Sequence, residues 1–90
     1  MNSRERAKYR IIALPRFEKD LRKLDKEAKR RVLQGLSMLE SQPFSFKALH
    51  GRFKGKYALR VGDYRIIYVI DEMNKIIHLM TVTHRRHAYK

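Results

Sequence analysis

Apolar residues recur along this chain in two different rhythms. Between residues 15 and 42 they return every three or four positions, as Phe17, Leu21 and Leu24 and then as Ala28, Val32, Leu36 and Leu39, with Leu33 beside the second set. That period places each set on one face of a helix. Pro15 suits the first turn of the first helix, where a missing N–H costs nothing. Asp25 is a good N-cap for the second. Gln42-Pro43 closes it, because a residue before proline resists the α conformation. The spacing therefore predicts an αα-hairpin with almost no loop.

On either side the rhythm is that of strands. "YRIIAL" (9–14) is short and β-branched. From residue 44 onward, "KYALRV" (56–61), "YRIIYVI" (64–70) and "IIHLMTVT" (76–83) read as a meander, turned at Gly62-Asp63 and again at "DEMNK" (71–75). The predicted order is β-αα-βββ. It describes one α+β domain over residues 1–90, a mostly antiparallel sheet with the helical hairpin packed on one face. The polar residues 1–8 are expected to be a flexible lead-in, and there is no repeat, low-complexity tract or linker.

Alternation along the central strands separates two kinds of side chain. Tyr57, Leu59 and Val61 share a face, as do Tyr64, Ile66, Tyr68 and Ile70; the tyrosines among them are expected in the core. The opposite face carries Lys56, Ala58 and Arg60 on one strand and Arg65, Ile67 and Val69 on the next. It is apolar along part of its length and cationic near the Gly62-Asp63 turn. A guanidinium in a strand needs an anionic or polar partner, since burying it alone is costly.

Composition sharpens that question. The chain has 22 Lys and Arg against 9 Asp and Glu, a formal net charge of +13, and no acidic residue beyond Glu72. Such an excess points to a polyanion, namely nucleic acid, an anionic surface or an acidic protein. With no cysteine, disulfide and thiolate chemistry are excluded. The charged N-terminus lacks the apolar stretch of a signal peptide. Ile66–Ile70, the longest apolar run, is far too short to span a bilayer. A cytoplasmic protein without a membrane role is expected.

The segments "KALHGRFKGKYALRVGDYRIIYVI" and "HRRHAY" resemble the RelE/ParE superfamily of toxin–antitoxin toxins, over nearly the whole chain. The resemblance implies the RelE-like fold and, for the favoured RelE branch, a ribosome-dependent endoribonuclease that cuts messenger RNA and stops translation. It also implies a cognate RelB-like antitoxin, expected to be acidic and helical, in a hetero-oligomer. Carried over by position, Lys56 or Arg60 matches the first central basic residue of the family and Arg65 the next. Arg85 matches the basic residue after the last strand, and Tyr89 the final aromatic. Two departures stand out. Ala58 occupies a place where some of the ribonucleases have a second lysine, and the step from Arg85 to Tyr89 is shorter than in some members.

RNA can be cut by its own 2′-hydroxyl if a protein aligns it, moves two protons and holds the developing charge. Arginine does not lose its proton, so Arg65 and Arg85 are read as charge stabilisers. Lys56 serves as a base only if neighbouring cations lower its pKa, and otherwise binds phosphate. Histidine is the side chain suited to proton transfer near neutral pH, so His84 and His87 are candidate acids, and His84, held by a strand, is favoured. Tyr89 offers a stacking surface. Arg60, Lys54, Arg86, His87 and Lys90 complete the expected RNA contacts. His50 and His78 are read as structural, and four scattered histidines give no metal-ligand spacing. No metal or cofactor is expected. Two other readings remain open from the residues: a ParE-type inhibitor of DNA gyrase, and an RNA-binding module that does not cut.

Overall fold

The computed structural model describes residues 9–84. Strand β1 (Arg10–Ala13) leads into helix α1 (Pro15–Arg22) and helix α2 (Lys26–Ser41). Strand β2 (Lys47–Ala48) and a single 3₁₀ turn (Gly51–Phe53) precede the meander β3 (Tyr57–Val61), β4 (Tyr64–Asp71) and β5 (Ile76–His84). The five strands pair in the order β1-β5-β4-β3-β2; β1 runs parallel to β5 and every other pairing is antiparallel. This is the expected helical hairpin on a mostly antiparallel sheet, with one short strand added at the edge.

Local chemistry accounts for the helix boundaries. Pro15 stands in the first turn of α1. The Asp25 carboxylate accepts the Ala28 N–H at 2.8 Å, satisfying one of the four donors a helix start leaves open. The β3–β4 turn has a positive φ at Gly62 (58°), its first position, as a type II′ turn requires. Inside α2, Gly35 does different work. A Cβ there would lie 3.0 Å from a methyl of Val61, so glycine lets the helix settle onto β3.

Phe17, Val32 and Leu39 from the helices meet Leu59, Ile66, Tyr68, Ile77, Leu79 and Val82 from the sheet. Each such side chain, fully buried, contributes about 1.5–3 kcal/mol. Tyr68 adds a polar anchor, its hydroxyl donating to the Pro43 carbonyl at 2.7 Å. Burial first, and the nearby Tyr57 second, raise the Tyr68 pKa above its ordinary 10.0. A raised folded-state pKa gives stability that is complete below the unfolded value and lost as pH climbs beyond it. Tyr68→Phe should cost about 1–3 kcal/mol near neutrality, because the Pro43 carbonyl loses its donor. The gap to wild type should close above pH 10.0, measured by denaturant titration at each pH. A gap that is constant into alkali would contradict this account.

Strand β5 carries one irregularity. Ile67 pairs with Thr81 but Tyr68 pairs with Leu79, so Met80 is an extra residue in β5. A bulge of this kind reverses which face the residues beyond it occupy.

Candidate nucleic-acid interface

The sheet face turned away from the helices can be built row by row from the register. Residues directly opposite each other in an antiparallel pair point to the same side. Arg60 on β3 faces Arg65 on β4, and Arg65 faces Thr83 on β5. The next row is Ala58, Ile67 and Thr81, with Lys47 of β2 beyond Ala58. Further from the turn come Val69 and His78, then Ile12 of β1. Arg60 is exposed, and Arg65, Ile67 and Val69 are half-buried.

Like charges directly opposite on a sheet destabilise it. The register nevertheless sets Arg60 and Arg65 directly opposite each other, concentrating positive charge at this end of the open face. Asp71, at the far end of β4, accepts from the Asn74 side chain at 2.9 Å, and other acidic side chains are engaged on the helices. Glu27 accepts from Arg30 at 2.6 Å and from Arg31 at 3.1 Å, and these bonds hold its carboxyl below the usual range. Asp20 pairs with Arg16 at 3.1 Å. A cleft of about 180 Å³ between the start of α2 and the β3–β4 turn collects Asp25, Glu27 and Asp63 beside Arg31. The opposed Arg60 and Arg65 lie on the open sheet face, away from that cleft.

The structure distributes the expected site residues unevenly. Arg60 and Arg65 meet, next to the turn. Lys56 lies just before β3, four residues from Arg60, about 13 Å away at strand rise. It stands at the other end of the face, so the basic residues form a track rather than one cluster. Lys54 is exposed in the loop at that same far end. His84 lies apart from the arginine row. It pairs with Tyr64, and its ring meets the Tyr64 ring edge-on at 5.3 Å, on the helix-covered side and away from Arg65. The ring of this expected acid is thus on the opposite face of the sheet from Arg65. The cause is the Met80 bulge, which inverts the alternation before the strand ends. Arg85, Arg86, His87, Tyr89 and Lys90 lie outside the described residues. Thr83, which sequence reasoning did not single out, enters the arginine row through the same inversion.

Among the described residues, no group of three His, Cys, Asp or Glu side chains is placed to hold a metal ion. Nor is any helix there long and apolar enough to cross a membrane.

A small sheet with two helices on one face is an architecture this chain shares with solved toxins of RelE–RelB pairs. The family described as the ParE toxin of the type II system parDE matches residues 11–89, and the chain belongs to it, within the RelE/ParE superfamily. The archaeal RelE–RelB complex of Pyrococcus horikoshii contains a chain 31% identical to this one. It aligns over 90% of this chain and 99% of its own, with a TM-score of 0.74. The RelBE2 toxin–antitoxin complex of Mycobacterium tuberculosis is similar at 26% identity, over 88% and 93% of the two chains, with a TM-score of 0.82. The isolated Escherichia coli RelE toxin shares the fold at 22% identity, over 84% and 83%, with a TM-score of 0.72. Comparison with curated proteins gives no match.

Proposed function

We propose that this toxin is a RelE-type, ribosome-dependent endoribonuclease that cuts messenger RNA without a metal, and that a RelB-like antitoxin neutralises it. One observation carries the reading: Arg60 and Arg65 directly opposed on the sheet face that the helices leave open. That pair suits a phosphate, and the track running on to Lys47 and Lys56 suits the chain attached to it. Arg65 takes the role of charge stabiliser for the phosphorane, with Arg60 holding the phosphate. Arg85 and Tyr89 are assigned, from the family resemblance, to charge stabilisation and base stacking. Lys56, at about two residue pairs from the arginine row, binds the flanking backbone. Support for a RelB-like antitoxin comes from the complexes that the similar toxins form.

A gyrase-directed function is the second reading, favoured by the ParE name of the matching family and by alanine at position 58. The test is to induce the toxin alone, map new 5′-hydroxyl ends on translated messages, and assay DNA supercoiling by purified gyrase in parallel. Cuts within translated frames with gyrase unaffected are expected. Inhibited supercoiling with intact messages would overturn the proposal in favour of the second reading.

A further inference from the structure

Thr83 Oγ1 is, among the described residues, the buried side-chain polar atom with no hydrogen-bond partner. A hydroxyl taken from water without a partner carries a desolvation cost. Valine has the same shape and avoids it, and aliphatic residues already occupy this face at Ile67 and Val69. The hydroxyl also stands in a particular place. Thr83 is directly across from Arg65, which is directly across from Arg60, so three adjacent strands present two guanidinium groups and one hydroxyl in a single row. Directly opposite Cβ atoms lie about 4.5–5.5 Å apart, a separation that lets neighbouring side chains address one tetrahedral anion. Branching at Cβ restricts the threonine to few rotamers, so the hydroxyl is held rather than swinging.

We infer that the Thr83 hydroxyl is the third donor of an oxyanion site shared with Arg65 and Arg60, donating to a non-bridging phosphate oxygen. The inference rests on reading the arginine pair as a phosphate site, and it adds a neutral, directional donor to two charged ones. Charge alone attracts any anion. A fixed hydroxyl favours one whose oxygens are tetrahedrally arranged. The hydroxyl's partner is then the ligand, which explains why the polar atom is kept in a place where a methyl would fit.

The experiment uses the full chain as wild type, Thr83→Val, Thr83→Ser and Arg65→Ala. Calorimetry measures binding of inorganic phosphate and of a short single-stranded RNA, at ionic strength held constant with chloride. Thr83→Val should bind about tenfold more weakly, the loss expected for one hydrogen bond to a charged group. Thr83→Ser should stay within about twofold of wild type, and Thr83→Val should melt no lower than wild type in phosphate-free buffer. A tenfold loss toward either probe supports the donor, and the probe that shows it separates a backbone phosphodiester from free phosphate. Equal binding by wild type and Thr83→Val, with loss only in Arg65→Ala, would overturn the inference while leaving the arginine site standing. If wild type binds neither probe beyond chloride, the inference and the phosphate site fall together. If the hydroxyl effect appears but translated messages remain uncut, the inference stands and the endonuclease reading falls.

Discussion

Arg65→Ala should lower messenger RNA cleavage about 10²–10³-fold, the loss typical of removing one preorganised charge stabiliser from a reacting centre. The position argues for a large effect. Arg65 sits on the central strand β4, between β3 and β5, and is half-buried. As a residue it is less exposed than Arg60, and a charge in lower dielectric acts more strongly on a developing phosphorane. The fold should survive, because the residue lies on the face away from Phe17, Ile66 and Leu79. The measurement is primer extension on a translated message, with circular dichroism to confirm folding. Near-normal cutting by a folded variant would remove Arg65 from the reaction.

Affinity for ribosomes or RNA should fall steeply with salt. If roughly six Lys and Arg residues neutralise phosphates, the loss between about 50 and 200 mM salt is on the order of a thousandfold. Arg60 and Arg65 at one end of the face and Lys47 and Lys56 beyond them supply a large part of that number from the described residues alone. Arg60→Ala should reduce the slope by about one phosphate contact without changing which message is cut. A flat salt response would instead indicate an apolar protein target, as the gyrase-directed reading requires.

Much of this molecule was legible before folding was considered. The stripe Ala28, Val32, Leu36 and Leu39 and the cap at Asp25 define α2 through contacts within a few residues, and the structure buries Val32 and Leu39 completely. The hairpin at Gly62-Asp63 reflects glycine's access to positive φ. Alternation likewise placed Arg60 and Arg65 on one face and Leu59, Ile66 and Tyr68 on the other. What local pattern missed is defined by partners distant in sequence. Strand β2 is two exposed residues that count as a strand only because Lys47 and Ala48 pair with β3. The parallel match of Ile11 to Ile77 joins segments more than sixty residues apart, which no periodicity encodes.

The bulge at Met80 shows the division most clearly. Unbroken alternation through residues 76–83 would continue to His84 and set it on the face opposite Ile77 and Leu79. Tertiary pairing decides otherwise, because Tyr68 meets Leu79 while Ile67 meets Thr81, and the extra residue lets Val82 join Ile66 in the core. From there His84 packs on Tyr64 and Thr83 takes its place across from Arg65. The residue types and their charge were determined by the sequence. Which of them shares a face with the arginines depends on a one-residue slip between two strands, settled by how the apolar side chains fill the core.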